Sequence, residues 1–341
     1  MPNSPLIVVG ASAGGLDALA AVLEGVSPDI GAAILAVIHI GAFDVQLPKF
    51  FGNRSPLPVH YAEEGERIER GVMYLAPPDR HLLVDDGRLL LARGPRENHT
   101  RPAVDPLFRT AAEYYGPLVI GVVLSGYLSD GTAGLWEIKR RGGVAIVQAP
   151  DEAAAQSMPK SAVQHVDVDY CLRVKDIGPL LNTLAAAAVK KAPVPAVPTG
   201  GREMTHTSEK PIAFTCPECG GAVRKSTMGS YSQFRCHIGH TFGIPELGEG
   251  QFDLLEESLE TALRVLNERR EFCKEAAADA RRAKENTLAK AWDDAAEEAE
   301  TRFNELTKFV ETDWKRPEGE SPSNGRSIRR AGSFPGAGVM E

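Results

Sequence analysis

No stretch of 18 consecutive apolar residues occurs in this chain, so no segment is long enough to cross a bilayer as a helix. The opening residues, MPNSPL, lack the pattern of a secretion signal. Positive charge is also scarce. The 38 Lys and Arg stand against 46 Asp and Glu, a net charge of −8, which disfavours nucleic acid as a partner. Cysteine is sparse and odd in number, five in 341 residues, with three clustered near histidines. That is not a disulfide framework; it points to metal binding in a reducing compartment, the cytoplasm. What is present is enough apolar residue, 43%, to build a core, and enough length for two domains.

An apolar run near the amino terminus, LIVV at 6–9, stops at Gly10-Ala11-Ser12-Ala13-Gly14-Gly15 and gives way to a helix-like stretch. A strand that ends in a small-residue turn before a helix lifts one side chain off the carboxyl edge of a sheet, here Ser12. The pattern matches the G-x-S-x-G elbow of serine nucleophiles, whose hydroxyl sits beside backbone N–H groups at a helix start. The competing reading is a dinucleotide-binding turn, which needs G-x-G-x-x-G and an acid about 20 residues on. Ser12 takes the middle glycine's place, and the next apolar run (32–38, AAILAVI) ends in His39, not in an acid.

A further run, LVIGVVL at 118–124, leads into Ser125-Gly126-Tyr127-Leu128-Ser129-Asp130-Gly131. Near-continuous apolar runs alternating with helical stretches predict a doubly wound, mostly parallel α/β sheet, in which ligands bind at the carboxyl ends of the strands. Ser12, His39 and Asp130 are therefore expected to converge on one edge. A serine hydroxyl needs a base to take its proton, and an imidazole needs a carboxylate to fix its tautomer. Taken singly, His39 reads equally as a core histidine, and Asp130 as the cap of a helix over 131–141.

Strands are expected near 5–10, 32–38, 72–76, 118–124, 143–148 and 169–173, and helices near 14–25, 105–115, 132–141 and 176–190. Asp85-Asp86-Gly87 between 82–84 and 88–92 is a hairpin signal, placed at an antiparallel edge of the sheet. Asp105 is a candidate cap of its own helix, and His99 and Arg101 are candidates for the border of the cleft. Residues 192–208, rich in Pro, Gly and Thr, read as a linker.

Beyond the linker, Cys216-Pro217-Glu218-Cys219-Gly220-Gly221 precedes Arg235-Cys236-His237-Ile238-Gly239-His240. Two such knuckles supply four ligands for tetrahedral zinc: Cys216, Cys219, Cys236 and one histidine. His240, preceded by Gly239, is preferred; His237, adjacent to Cys236, is the fallback. A closed four-ligand site makes the zinc structural. A redox C-x-x-C is the competing reading, without thioredoxin-like surroundings to support it.

Farther on, Leu255, Leu259, Ala262, Leu263 and Leu266 form one helical stripe, and Leu288, Trp292, Ala295, Ala299, Phe303, Leu306 and Val310 a second. A bend near Asn286-Thr287 would make an antiparallel hairpin whose stripes pack together; one long helix is the other option. A face for a helical signalling partner is the functional reading. The expected division is a catalytic domain over 1–190, a linker at 191–210, a zinc-ribbon-like module at 211–248, a helical segment at 249–314 and a disordered tail at 315–341.

Residues 5–185 resemble the catalytic domain of the chemotaxis protein-glutamate methylesterases, the CheB family. VVGASAGG at 8–15, His39, GERIERGVMYLAPPDRHLLV at 65–84, RPAVDPLF at 101–108, LSGYLSDGTAG at 124–134 and QSMPKSAV at 156–163 carry the resemblance, in order. It implies a Rossmann-like methylesterase fold and a Ser12-His39-Asp130 triad with an oxyanion site near Ala13 and Gly14. The implied activity is hydrolysis of γ-glutamyl methyl esters, with glutamine deamidation, on a methylated chemoreceptor-like helical protein. No cofactor is implied for catalysis. No receiver domain is expected ahead of the first catalytic strand. Zinc-ribbon-plus-helix extensions accompany some proteins similar to this family. The chain departs from the pattern at Ala13, where Thr or Ser is usual, and in the T-G-M-G-x-D loop, here Ser125 to Asp130. Tyr127 and Leu128 are bulkier than the usual residues and bear on the pocket. They leave open the alternative of a catalytically weakened esterase fold serving as a signalling scaffold.

Overall fold

A computed structural model describes residues 4–39, 46–190 and 214–312. The expected linker at 191–210 and tail from 315 lie outside the described residues. The described residues fall into two compact units, one drawn from residues 4–214 and 221–246, the other from 215–220 and 247–312.

The first unit is built on alternating strands and helices. In chain order these are β1 (Leu6–Ala11), α1 (Gly15–Glu24), β2 (Ala33–Ile38), α2 (Leu47–Gly52), β3 (Val59–Tyr61), β4 (Met73–Leu75), the hairpin β5 (His81–Asp85) and β6 (Arg88–Ala92), and α3 (Val104–Tyr115). There follow β7 (Val119–Val123), α4 (Thr132–Arg140), β8 (Val144–Gln148), α5 (Ser157–His165), β9 (Tyr170–Leu172) and α6 (Val174–Lys190). Seven strands form one sheet in the order β3-β4-β2-β1-β7-β8-β9, and every neighbouring pair is parallel. The chain winds outward from β1 through β2 and returns on its other side at β7. The strand order reverses at β1, which is where such sheets bind ligands.

Alternation along β1 divides the core. Leu6 and Val8 join Leu107, Phe108 and Ala111 of α3, Leu135 and Ile138 of α4, and Leu82, Val84 and Leu89 of the hairpin. Ile7 and Val9 face the other way, onto Leu19, Val22 and Leu23 of α1 and Ile177 and Leu181 of α6. Strands buried on both faces read as unbroken apolar runs, which is why the sequence located them. Three elements escaped it: β3, α2 and α5. The first two are only three and six residues long, and α5 opens Ser157-Met158-Pro159, too polar and too short to show a stripe. The hairpin forms where expected, but as a separate two-stranded sheet and not as an edge of the parallel one. Leu82, Val84 and Leu89 turn toward α3, so their apolar face is covered there.

Residues 221–246 add β10 (Val223–Met228), β11 (Tyr231–Cys236) and β12 (Thr241–Phe242), a three-stranded antiparallel ribbon within the first unit. The second unit contains most of α7 (Ile244–Arg282) and all of α8 (Asn286–Val310). Of the two options for this segment, the hairpin forms. The chain breaks at Lys284, which takes φ +63°, so the bend falls just before Asn286. Phe272 meets Trp292 edge-on at 5.8 Å, and Arg270 lies over Phe303. Cys273, Ala277, Ala280, Ala289, Ala296 and Ala299 are buried in this unit. Leu288 is exposed and Ala289 is buried in its place, so the second stripe begins one residue later than expected.

Phe108 is fully buried where α3 crosses under the sheet. Phe108→Ala should destabilise the first unit by about 3–5 kcal/mol, measured by urea unfolding, because it removes a large apolar side chain and leaves a cavity. A loss below about 1 kcal/mol would contradict this packing.

Candidate active site

Ser12 follows β1 directly and His39 follows β2 directly. The two strands pair in register up to Ala11 and Ile38, and the His39 N–H donates to the Ala11 carbonyl at 3.0 Å. Ser12 and His39 therefore stand side by side at the carboxyl edge. On the other flank the Ser12 N–H donates to the Ser125 carbonyl at 2.9 Å, which ties the turn to the loop after β7.

Gly14 caps α1 at φ +72°, in the left-handed region. A Cβ there would fall 2.6 Å from the Ala154 Cβ and 2.9 Å from the Ser125 Oγ, so both backbone angle and space require glycine. The Gly15 N–H donates to the Ser12 carbonyl at 2.8 Å. Ala13 and Gly14 stand at the mouth of α1, where the helix dipole favours negative charge. The Ser125 hydroxyl donates to the Ala13 carbonyl at 2.6 Å and accepts from the Ala155 N–H at 2.9 Å. The Gln148 side chain accepts the Ser125 N–H at 2.9 Å.

Asp130 is 2% exposed, yet five donors surround its carboxylate. Oδ1 accepts from Asn98 Nδ2 (2.9 Å), the Asp105 N–H (3.1 Å) and the Gly131 N–H (2.9 Å). Oδ2 accepts from the Val104 N–H (2.7 Å) and lies 3.0 Å from His39 Nε2. Burial alone would raise its pKa. The His39 hydrogen bond and charge, the Val104 amide and Asn98 outweigh it, and Asp130 titrates below the usual carboxylate range. With Nε2–H turned to Asp130, the other ring nitrogen, Nδ1, is left as the basic one. The Thr100 hydroxyl lies 3.3 Å from the same Nε2.

Asp105 behaves in the opposite way. Burial, and then the charge of Asp130, push its carboxyl well above the usual range. Asp105 does not cap its own helix. α3 begins one residue before it, and its carboxyl oxygen accepts the Gly134 N–H in the first turn of α4 at 2.7 Å. His81 is a buried histidine satisfied on both nitrogens: Nδ1 accepts the Ala103 N–H (3.2 Å), and Nε2–H donates to the Pro95 carbonyl (3.0 Å).

Tyr127 and Leu128 are half-buried in the loop between β7 and α4. The Leu128 N–H donates to Ser157 Oγ at 3.0 Å. Gly126 packs directly beneath the serine, since a Cβ on it would lie 2.8 Å from the Ser12 Cβ and 2.4 Å from Met158 Sδ. His99 and Arg101, expected at the cleft border, are both engaged. His99 Nε2 donates to the Glu246 carbonyl at 2.7 Å. Arg101 binds Asp79 at 2.6 Å, and Arg93 and Arg101 together pull that carboxylate down to about 2.

Cys216, Cys219, Cys236 and His240 place one ligand atom each within 4.8 Å of one another. Cys236 Sγ and His240 Nδ1 are 3.6 Å apart, while His237 is exposed. Gly220 (φ +69°) and Gly239 (φ +111°) turn the two knuckles, with the Gly220 N–H donating to the Cys216 carbonyl and the Gly239 N–H to that of Cys236.

A family model described as CheB methylesterase matches residues 7–181, more than half of the chain. The chain belongs to the CheB methylesterase family. It is a carboxylic ester hydrolase. A putative protein-glutamate methylesterase/protein-glutamine glutaminase of Leptospira interrogans is 41% identical over 184 residues, covering 53% of this chain and 95% of the relative. An Anaeromyxobacter dehalogenans protein-glutamate methylesterase/protein-glutamine glutaminase is 39% identical over 180 residues, covering 52% of this chain and 53% of its own length. Among solved structures, the Thermotoga maritima CheB methylesterase catalytic domain aligns with a TM-score of 0.51 at 32% identity. It covers 53% of this chain and 98% of that domain. Against the usual CheB loop, Leu128 stands at the position of the second glycine, and it keeps a glycine-like backbone at φ +63°.

Asn98, Thr100, Ser125, Gln148 and Met158 were not singled out from the sequence. They lie tens of residues from their partners and follow no local spacing. The site also carries a pH signature. Burial, its largest influence, lowers the pKa of His81, so the unfolded chain binds a proton below about pH 6.5 that the folded chain refuses. The resulting stability is complete above that pH and is lost as pH falls. His81→Gln, whose amide offers one donor and one acceptor and does not titrate, should show a smaller drop in unfolding free energy between pH 7.5 and 5.5 than the unaltered protein. Equal drops in urea titrations at the two pH values would show that His81 does not contribute.

Proposed function

We propose that the protein is a protein-glutamate methylesterase, and a protein-glutamine deamidase, acting on a methylated chemoreceptor-like helical protein in the cytoplasm. The observation that carries this reading is the His39–Asp130 pair at 3.0 Å, set on the strand beside the one that ends in Ser12. In the proposed mechanism His39 takes the Ser12 proton through Nδ1 as Ser12 Oγ attacks the ester carbonyl, while Asp130 holds Nε2–H. The N–H groups of Ala13 and Gly14 stabilise the oxyanion, and Tyr127 lines the substrate pocket. His39 returns the proton to the departing methanol. Water then enters, deprotonated by His39, and hydrolyses the glutamyl-enzyme to a side-chain carboxylate. With a glutamine side chain the same steps release ammonia.

No helix among the described residues is long and apolar enough to cross a membrane. The net charge of −8 supports a protein partner over nucleic acid. In this reading the α7–α8 hairpin is the element available to a helical signalling partner. Ser12→Ala should lower methanol release from a methylated receptor fragment by about four orders of magnitude or more while leaving the melting temperature unchanged. His39→Ala and Asp130→Asn should each cost about 10³–10⁴, and double variants little more, because the three act as a unit. Undiminished methanol release by the Ser12→Ala protein would sink the assignment.

The Cys216, Cys219, Cys236 and His240 set suits a structural zinc. A tetrahedral ion bound at about 2.0–2.3 Å sets its donors roughly 3.5–3.8 Å apart, in keeping with the Cys236–His240 spacing. Cys216, Cys219, Cys236 and His240 would close the coordination sphere, so the ion serves the fold and not the chemistry. Purified protein should hold about one zinc per chain, lost in Cys216→Ser or Cys236→Ser variants when measured by elemental analysis. Full zinc retention in either variant would exclude this ligand set.

A further inference from the structure

Glu246, in the first turn of α7, is fully buried, and among the described residues no Lys or Arg forms an ion pair with it. Ser129 takes the place of a counter-ion. The Ser129 N–H donates to Glu246 Oε1 at 2.6 Å, and Ser129 Oγ lies 2.8 and 2.9 Å from the two carboxyl oxygens. Tyr231 OH lies 2.9 Å from the same Oγ, so one directed chain runs from the Tyr231 hydroxyl through Ser129 to Glu246. Gly243 is enclosed by this group: a Cβ on it would lie 2.4–2.5 Å from Tyr231 OH, Glu246 Oε2 and Ser129 Oγ. Burial raises the pKa of both Glu246 and Tyr231, as expected of polar groups shut away from water. A carboxyl group without a cation is a poor choice for merely docking a ribbon, where an apolar side chain would avoid the desolvation penalty. What it supplies is direction, and it supplies it to the residue immediately before Asp130.

A second tie reaches the same acid. The Asn98 N–H donates to the Thr241 carbonyl at 2.7 Å, and the Gly243 N–H donates to Asn98 Oδ1 at 3.3 Å. The other end of that side-chain amide donates to Asp130 Oδ1 at 2.9 Å. Asn98 holds φ +52° to reach all of them. His99 adds its bond to the Glu246 carbonyl at 2.7 Å. The segment 241–246 thus grips both the residue preceding Asp130 and the amide that donates to it.

We propose that Glu246 is a positioning residue for the esterase: it locks Ser129 and, together with the contacts of residues 241–243 to Asn98, sets the Asp130 carboxylate against His39. The ribbon is then part of the catalytic apparatus and not an appendage. This rests on the methylesterase reading above. The test compares full-length Glu246→Ala, Glu246→Gln and Ser129→Ala proteins with the unaltered one, using a peptide that carries a γ-glutamyl methyl ester. Glu246→Ala should lower kcat about tenfold or more with KM within about twofold. Glu246→Gln keeps an acceptor for the Ser129 N–H and can donate to Ser129 Oγ, so it should recover kcat to within about threefold of the parent. Ser129→Ala, which keeps the backbone bond and removes only the hydroxyl, should lower kcat about threefold to tenfold in protein that circular dichroism shows to be folded. An unaltered kcat in Ser129→Ala, or a Glu246→Ala protein that loses thermal stability while keeping kcat, would overturn the proposal and leave Glu246 as a docking contact. Failure of the unaltered protein to release methanol would instead count against the methylesterase reading itself.

Discussion

The arrangement of the sheet's carboxyl edge follows from keeping one negative charge, that of Asp130, at 2% exposure. Removing a carboxylate from water costs several kcal/mol unless donors replace the lost hydration. Here the replacements come from four separate places: the first amides of α3, the amide opening α4, the Asn98 side chain and the His39 ring. Each donor requires its own support. α3 must aim its amino end at Asp130, which Phe108 and Leu107 secure by packing beneath the sheet. Asp105, on the same turn, is pushed the other way: burial and the field of Asp130 raise its pKa and resist a second anion beside the first.

The same requirement accounts for how closely residues 221–246 are joined to the sheet within the first unit. Asn98 and Ser129 expose polar groups beside Asp130, and once buried these groups need partners. Thr241, Gly243, Glu246 and Tyr231 supply them. Further polar contacts lie alongside. The Arg109 guanidinium binds Glu97 at 2.8 Å, and the Thr100 hydroxyl returns to the Glu97 carbonyl at 3.2 Å, so the 97–100 segment is braced on both sides. A ribbon that would be a marginal fold by itself gains order from these bonds, and the edge gains a dry, directed set of partners for its acid.

The loop from Ser125 to Asp130 shows where this chain differs from the common CheB pattern. Leu128 holds a left-handed backbone where glycine is usual, at a cost of about 1–2 kcal/mol for a residue with a Cβ. The conformation persists because its neighbours determine it: Ser157 takes the Leu128 N–H, while Glu246 takes that of Ser129. Strain of this kind collects at functional sites, and here it shapes the wall of the proposed pocket.

The local sequence located β1, β2, β4, β7, β8 and β9 and the helices α1, α3, α4 and α6, because buried parallel strands are unbroken apolar runs whose ends are marked by small residues; Ser12 and His39 follow two of those strands directly. Cys216, Cys219, Cys236 and His240 were legible from their short spacings, and their ligand atoms lie within 4.8 Å of one another. The tertiary structure alone decided the rest. Asp105 serves α4 and not its own helix, and the hairpin is a separate sheet. The break between α7 and α8 was one of two options that the stripes allowed. Asn98, Ser125 and Glu246 become partners of the active edge only when segments 30 to 117 residues apart are folded together. A hydrogen bond between such segments leaves no periodic trace, so the residues that hold the site in place became visible only once the chain had closed around them.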